Sequence, residues 1–204
     1  MTRSVAIARY GAGNVRSVEL AFLRLGAELT DDLDRADLAV LPGVGSARSA
    51  MQGLGTAADL LRDRVASGRA VLGICLGAQI ALDESEEDGG TAGLGLVPGR
   101  AVRLQAERVP RIGWAPVEPG GETYWFAHSY ACETEATVAT SEGHAAIIES
   151  GAFLGVQFHP EKSGAAGARF LGRLLEDSSR VDRSFPTGGR AKPVRPGGGA
   201  ASGA

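Results

Sequence analysis

The sequence predicts a single-domain α/β protein with a mixed, mostly parallel sheet and helices on both faces. In the first half, short apolar runs of strand length alternate with segments of helical length, as in βαβ units. In the second half, several strand-like segments follow one another with short turns before a closing helical segment. A chain of 204 residues is long enough for one domain of ordinary size with one core.

The elements of the first half follow from apolar periodicity and from the residues at their ends. Asn14 is a suitable first residue for an amphipathic helix. The expected strands are residues 4–8, 37–41 and 70–74, and the expected helices are residues 15–25 and 57–66.

The second half is expected to add strands rather than βαβ units. Its strand-like segments are residues 102–104, 114–117, 124–132 and 145–158, and residues 166–175 have the pattern of a helix. In such sheets ligands bind at the carboxyl ends of the parallel strands, so the active site is expected there.

Composition excludes several classes of function. The net charge of −3 and the absence of a basic patch interleaved with aromatic residues argue against a nucleic-acid partner. No run approaches the roughly 18 apolar residues of a membrane span, and the apolar run in residues 1–14 is too short for a signal peptide. Two cysteines are too few for a disulfide framework, so we expect a cytoplasmic protein.

Composition also divides the chain into a domain and a tail. Residues 1–176 have the mixture of apolar and polar residues of a folded domain. Residues 177–204 are rich in Gly, Ala, Pro and Arg and cannot bury enough apolar surface to offset their ordering entropy. We expect this tail to be disordered.

Cys75 lies where a strand turns sharply into a helix. An apolar run ends at Ile74, Gly73 and Gly77 flank the cysteine at two residues on either side, and residues 76–82 are apolar at helical spacing. This is the thiol form of a nucleophile elbow, in which the glycines allow close backbone approach and the helix start favours the thiolate. A buried core cysteine is the alternative, and Cys132 is interpreted as one.

A second segment supplies the groups that a cysteine nucleophile needs. Another apolar strand ends before His159, Pro160 stops it, and Glu161 follows two residues after the histidine. A base must take the thiol proton and later return it to the leaving group, and the base needs an acceptor that orients it. Cys75, His159 and Glu161 are therefore predicted to form a catalytic triad.

The segments GICLGAQ at 73–79 and GVQFHPEKSG at 155–164 resemble the class I, triad-type glutamine amidotransferases. Further segments narrow the resemblance to the glutaminase subunits of imidazole glycerol phosphate synthase. They occur in the order of that family: YGAGN at 10–14, LPGVG at 41–45, SEE at 85–87, GLGLVPG at 93–99, GW at 113–114 and HSY at 128–130. The implied fold is the single-domain class I amidotransferase fold.

The resemblance implies hydrolysis of L-glutamine to glutamate and ammonia through a thioester, without metal or cofactor. It further implies a heterodimer with a (β/α)₈-barrel synthase subunit. That subunit would use the ammonia to make imidazole glycerol phosphate and aminoimidazole carboxamide ribotide in histidine biosynthesis. These expectations come from the resemblance alone.

The remaining site residues are assigned partly by chemistry and partly by the resemblance. The residue after a nucleophile elbow, here Leu76, usually donates one oxyanion N–H. The resemblance assigns the second donor to Gly43 and Val44, in a loop whose peptide flip would switch the site on. It assigns glutamine binding to Gly45, Gln79 and Glu87, and the partner interface and ammonia gate to Trp114, Tyr130 and Lys162.

Three residues depart from the family pattern. Arg9 replaces a frequent aspartate, and Arg111 and Ala115 replace a histidine and an asparagine beside Trp114. Because the latter two are expected in the partner-facing region, an amidotransferase that serves a different synthase is an alternative. A non-catalytic regulatory subunit with the same fold is a second alternative, and a free-standing thiol hydrolase is a third.

Overall fold

A seven-stranded sheet forms the centre of the protein. The structure, a computed structural model, describes residues 2–11 and 14–176. The predicted tail at residues 177–204 and two residues of the YGAGN segment, Ala12 and Gly13, lie outside the described residues.

Strands and helices alternate in the first half and strands dominate the second. The strands are β1 Ser4–Ile7, β2 Glu28–Thr30, β3 Leu38–Leu41, β4 Val71–Ile74, β5 Glu84–Ser85, β6 Thr91–Ala92, β7 Arg100–Arg103, β8 Arg111–Val117, β9 Glu122–His128, β10 Tyr130–Glu133, β11 Thr137–Ser141, β12 His144–Ser150 and β13 Phe153–Val156. The α-helices are α1 Val15–Arg24, α2 Ala47–Leu54, α3 Ala57–Ala66, α4 Leu76–Gln79 and α5 Gly164–Glu176, and 3₁₀ helices span Glu87–Gly89 and Pro160–Lys162.

The central sheet is mixed and mostly parallel, as predicted. Its strand order is β11-β12-β13-β4-β3-β1-β2. The strands from β13 to β2 run parallel, whereas β12 pairs antiparallel with both of its neighbours, β13 and β11. In this register Ile74 at the end of β4 pairs with Val156 at the end of β13. The segments that carry Cys75 and His159 therefore leave the sheet side by side.

Helices cover both faces of this sheet because successive residues of each strand point to opposite sides. On one face, Val40 packs in the same apolar cluster as Phe22 of α1 and Phe170 of α5. On the other face, Leu41 packs in a second cluster with Leu61 of α3. Among the described residues no helix is long and apolar enough to cross a membrane.

Two small sheets, formed by strands between Glu84 and Glu133, accompany the central one, and the sequence did not predict them as separate sheets. Strands β10-β7-β5-β6 form one, and β8-β9 form the other. The single strand expected at residues 124–132 is two strands, because β9 pairs with β8 whereas β10 pairs with β7. Between them, Ser129 accepts a hydrogen bond from the Leu104 N–H at 2.9 Å. The strand expected at 145–158 is also two, with a turn at Gly151.

The helix expected after Cys75 is shorter than the apolar pattern indicated. Residues 76–82 were expected to be helical, but α4 ends at Gln79. The carbonyl groups of Ile80, Ala81 and Leu82 accept hydrogen bonds from the N–H groups of residues 94–97 instead of continuing a helix. The segment is still buried, which explains its apolar composition.

Candidate active site

Cys75 lies at a sharp turn between β4 and α4. Its φ of 49° and ψ of −104° fall in a region that residues with a side chain rarely adopt. The Cys75 N–H donates to Val156 O at 2.7 Å, and Cys75 O accepts from the Ala78 N–H at 3.0 Å. The backbone of the nucleophile is therefore fixed from the neighbouring strand and from the helix that follows.

The glycines on either side of Cys75 are required by close packing. A Cβ on Gly77 would lie 2.0 Å from Leu41 O, and a Cβ on Gly73 would lie 2.7 Å from the Phe153 ring. Both distances are far below van der Waals contact, so neither position accepts a larger residue without moving backbone or core. The elbow is thus pressed directly against β3 and β13.

Two polar groups contact the sulfur of Cys75. Gln157 Nε2 donates to Sγ at 3.5 Å, and Sγ lies 3.7 Å from Ala127 O, which can accept the thiol proton. Cys75 is only 6% exposed, yet it lines a pocket of about 320 Å³. A small substrate in this pocket would therefore meet the sulfur.

His159 follows β13 and lines the same pocket. Its backbone N–H donates to Trp125 O at 2.8 Å, and the Ser163 hydroxyl donates to His159 O at 2.6 Å. Its ring Nδ1 lies 2.8 Å from Glu161 Oε1, and both side chains are almost fully buried. Because a carboxylate only accepts, Nδ1 carries the proton and Nε2 is left for proton transfer.

The surroundings of His159 favour its protonated form. Burial lowers its pKa, but hydrogen bonds and charge interactions with Cys75 and Glu161 outweigh burial and raise the pKa to about 9. An imidazolium beside a thiol is the partner that a thiolate requires. The three predicted triad residues are thus brought together in an arrangement suited to nucleophilic attack by sulfur.

The predicted oxyanion donors lie against the elbow. Leu76 is the first residue of α4, so its N–H has no acceptor within the helix. A Cβ on Gly43 would lie 2.7 Å from Leu76 N, which places the loop at 42–45 directly beside that donor. Gly43 and Val44 both line the pocket.

Tyr10 ties this loop to the end of β1. Its buried hydroxyl donates to Pro42 O at 2.5 Å. Burial raises the pKa of Tyr10 above its usual range, and the backbone N–H of Val44 opposes that rise. Tyr10 thus holds the loop at 42–45 in one position, and a rearrangement of the loop would have to break the bond to Pro42 O.

The three residues predicted to bind glutamine also line the pocket. They are Gly45, Gln79 and Glu87. Gln79 Nε2 donates to Tyr130 O at 2.8 Å and to Gln157 Oε1 at 3.2 Å, so its carbonyl oxygen is the group left to accept from a ligand ammonium. Glu87 accepts from the Ala47 N–H at 2.7 Å, and burial raises its pKa against the effect of that bond.

The residues predicted for the partner interface lie around the mouth of the pocket or on the strand beside it. Tyr130 and the exposed Lys162 line the pocket. Trp114 does not line it, but it is 55% exposed on β8, on the same face as Ile112, which is 63% exposed and lines the pocket. An exposed apolar face thus borders the site.

The departures at Arg111 and Ala115 lie elsewhere than expected. Residues alternate along β8, so both point inward while Ile112 and Trp114 point outward. The Arg111 guanidinium lies 4.2 Å from the centre of the Phe126 ring and pairs with Glu142 at 3.0 Å. Ala115 is buried in the core. Neither side chain is part of the outward face, and Arg9 lines a separate cavity with Glu19 and Asp31.

Gln157 lies at the site although it was not among the residues predicted from the sequence. A polar residue inside the apolar run before His159 was a usable signal, since a buried amide needs partners.

The described residues contain no group of three or more His, Cys, Asp or Glu side chains that could hold a metal ion.

Comparison with known proteins identifies the family. The model of glutamine amidotransferase class-I matches residues 6–175. Imidazole glycerol phosphate synthase subunit HisH of Chlorobaculum tepidum is 39% identical and covers 84% of this chain and 99% of its own. The same subunit of Geobacillus thermodenitrificans is 40% identical, with coverage of 84% and 94%.

A solved structure described as a glutamine amidotransferase shares the fold. Its TM-score is 0.70 at 21% identity, and the match covers 87% of this chain and 99% of that one. The family match over most of the chain and the identity to the curated relatives lead to one conclusion: the chain belongs to the class-I glutamine amidotransferase family, together with the HisH subunits of imidazole glycerol phosphate synthase.

Proposed function

We propose that this chain is the glutaminase subunit of an imidazole glycerol phosphate synthase. It would hydrolyse L-glutamine to glutamate and ammonia and supply the ammonia to a (β/α)₈-barrel synthase subunit in histidine biosynthesis. The observation that carries the proposal is Cys75 at a strained elbow beside the His159–Glu161 pair, in a chain about 39% identical to HisH subunits.

The first half of the reaction forms a thioester. The Cys75 thiolate attacks the side-chain carbonyl carbon of glutamine, and the negative charge moves to the carbonyl oxygen. The Leu76 N–H and a donor from the Gly43–Val44 peptide stabilise that oxyanion. His159 protonates the amide nitrogen, the C–N bond breaks, and ammonia leaves.

The second half restores the enzyme. His159, now neutral, takes a proton from a water molecule that attacks the thioester carbonyl. The C–S bond breaks, glutamate leaves, and the proton on His159 again faces the sulfur. Glu161 holds the imidazole in one tautomer throughout, because its carboxylate accepts from Nδ1–H.

Substrate recognition rests on the groups that distinguish glutamine from other amides. Glu87 and the carbonyl oxygen of Gln79 are the acceptors for the α-ammonium group, and Gly45, the last residue of the loop at 42–45, lies on the pocket wall before α2. A partner that moves the loop at 42–45 away from Tyr10 would reposition the Gly43–Val44 peptide beside the Leu76 N–H. This makes glutaminase activity dependent on the synthase subunit.

The proposal is tested by glutamate release from glutamine. The purified chain is assayed alone and with a barrel-type synthase subunit plus its phosphoribosyl ligand. We expect little activity alone and strong stimulation in the mixture. Equal activity of the chain alone and of the mixture would indicate a free-standing hydrolase. No activity in either assay would indicate a different synthase partner or a regulatory role.

Replacement of the nucleophile is the matching variant. Cys75→Ala should abolish glutamate release because no other group at the elbow can form the thioester. Free ammonia should restore product formation by the mixture, since the synthase chemistry is untouched. Wild-type turnover by Cys75→Ala would refute the mechanism, and failure of ammonia rescue would show that the complex is damaged.

A further inference from the structure

Gln157 is a buried polar residue whose side chain contacts the nucleophile. It lies just after β13, is 2% exposed, and directs Nε2 to Cys75 Sγ at 3.5 Å. Its own backbone N–H donates to Ala146 O at 2.9 Å, which fixes the residue to β12. None of the roles in the triad, the oxyanion site or substrate binding uses it.

Tyr130 O determines which end of the Gln157 amide donates, through the intervening side chain of Gln79. Tyr130 O is a backbone carbonyl and can only accept, so the group of Gln79 that meets it at 2.8 Å must be the amide nitrogen. That nitrogen also lies 3.2 Å from Gln157, so the atom of Gln157 that faces it is the oxygen Oε1. The other end of the Gln157 amide, Nε2, must then face the sulfur.

Besides the imidazole of His159, the sulfur thus has one hydrogen-bond acceptor and one donor as neighbours. Ala127 O lies 3.7 Å from Sγ and suits the protonated thiol. The Gln157 amide donates to Sγ and suits the thiolate, because a hydrogen bond to a charged acceptor is stronger than one to a neutral acceptor. When the thiol proton leaves, the carbonyl contact weakens and the amide contact strengthens.

We propose that Gln157, oriented by Gln79 and Tyr130 O, holds the Cys75 sulfur and stabilises it as the thiolate. The inference rests on the proposed thiol chemistry and deepens it. Gln157 contacts the reacting atom, whereas Gln79 acts on the sulfur through Gln157 as a positioning residue. The same Gln79 is the proposed acceptor for the substrate ammonium, so substrate binding and nucleophile activation share one chain of hydrogen bonds.

The experiment measures alkylation of Cys75 by iodoacetamide, with the modified cysteine identified by peptide mass spectrometry. Only the thiolate reacts, so the rate at pH 7 reports how much thiolate is present. Cys132 interferes little, because burial and then the charge of Cys75 raise the pKa of Cys132 to about 12. Neither glutamine nor a partner is needed, so the alkylation rate still tests the role of Gln157 if the chain proves not to be a glutaminase.

The variants are Gln157→Met, Gln79→Met and the double replacement. Gln157→Met keeps the length and volume of the side chain but removes the donor, and should slow alkylation at pH 7 about tenfold. At about pH 10, above the reference pKa of about 8.5 for cysteine in peptides, the loss should shrink to less than about twofold. Gln52→Met makes the same change at an exposed position of α2 and should react as the wild type does.

The positioning role of Gln79 is tested by the cycle of variants. Gln79→Met should slow alkylation at pH 7 about threefold, because Gln157 then loses the contact that fixes its orientation. The double variant should react no more slowly than Gln157→Met, since Gln79 reaches the sulfur only through Gln157.

Three results would overturn the proposal. A wild-type rate for Gln157→Met at pH 7 would show that the amide does not support the thiolate. An equal loss at both pH values would indicate a packing defect, and additive losses in the double variant would deny the chain of contacts. Thermal unfolding checks each variant. If Gln157→Met does not fold, the Gln79→Met result alone decides, and a wild-type rate there rejects the proposal.

Discussion

Two histidines near Cys75 have opposite pKa shifts because their partners differ. His159 lies beside the carboxylate of Glu161 and the Cys75 thiol, which raise its pKa to about 9 against the effect of burial. Burial lowers the pKa of His128 to about 4, and its hydrogen bond from Nδ1–H to the carbonyl of Tyr130 at 2.8 Å does not offset this. His128 Nε2 is buried without a hydrogen-bond partner, so His128 is neutral at pH 7.

His128 should therefore make the protein sensitive to acid. The unfolded chain binds this proton near pH 6.5 and the folded chain only near pH 4, so the unfolded state binds more protons between these values. The free energy of unfolding should fall by about 2 to 3 kcal/mol through His128 alone as the pH drops from 7 to 4.5. Urea unfolding at the two pH values measures this loss.

His128→Asn is the comparison variant, because an amide does not titrate and can still donate to Tyr130 O. It should lose about 2 kcal/mol less than the wild type between pH 7 and 4.5. His159 does not disturb the comparison. Its raised pKa adds stability that is fully present below about pH 6.5 and is lost only as the pH rises through about 9. Equal losses in the two proteins would contradict the assignment.

At the scale of the element, the elbow depends on the absence of side chains where it meets β3. Gly77→Ala would place a Cβ 2.0 Å from Leu41 O and 3.1 Å from Pro42 O. Because both contacts are backbone atoms, relief requires the elbow and β3 to separate. We expect the free energy of unfolding to fall by about 3 kcal/mol or more, as for other overpacked cores.

Gly172→Ala is the matched control for this change. Gly172 lies inside α5, where the nearest atom to an added Cβ is the end of Leu25 at 4.0 Å. Alanine has the higher helix propensity, so this variant should gain about 0.5 to 1 kcal/mol. Denaturant unfolding of both variants gives the comparison, and a Gly77→Ala protein as stable as the wild type would refute the packing argument.

Elements with a clear apolar periodicity were predictable from the sequence, whereas short elements that form only through hydrogen bonding to a neighbouring strand were not. The helix α3 was expected at its observed bounds, because its apolar residues recur at helical spacing. In contrast, β2 has only three residues and is an edge strand that exists through its pairing with β1. The helix α2 is short and poor in large apolar residues, so its pattern was weak.

The site was predictable where its residues have a distinctive spacing. Cys75 and His159 follow buried strands and were placed together by the chemistry that a cysteine nucleophile requires. Gln157 and Tyr10 were missed because their roles depend on contacts with residues more than 30 positions away. The inward position of Arg111 was likewise set by the register of β8 with β9, which the sequence does not contain.

At the scale of the whole molecule, the pocket lies between one edge of the central sheet and the two small sheets. The ends of β3, β4 and β13 bring the oxyanion loop, the nucleophile and the base to one edge of the central sheet. The small sheets close the other side through Ala127, His128 and Tyr130. The exposed residues Ile112 and Trp114 of β8 then lie beside the pocket, and we expect the proposed synthase subunit to dock on this face.

Trp114 is the residue of this face whose loss should weaken the complex most. Its indole is 55% exposed and held by an edge contact with Trp125 at 5.8 Å, so it is available to a partner without reordering. Truncation of an interface tryptophan typically costs about 2 kcal/mol or more. Trp114→Ala should therefore raise the synthase concentration needed for half-maximal glutaminase stimulation about 30-fold.

The unstimulated activity of Trp114→Ala should match the wild type, because Trp114 does not line the pocket that contains Cys75 and His159. Leu60→Ala provides the comparison, since Leu60 is 41% exposed but lies on α3, away from β8. It should leave the half-maximal concentration unchanged. An unchanged value for Trp114→Ala, measured by titrating the synthase subunit in the glutamate-release assay, would place the interface elsewhere. A loss of equal size in Leu60→Ala would mean that the effect reflects general destabilisation rather than docking at the face formed by Ile112 and Trp114.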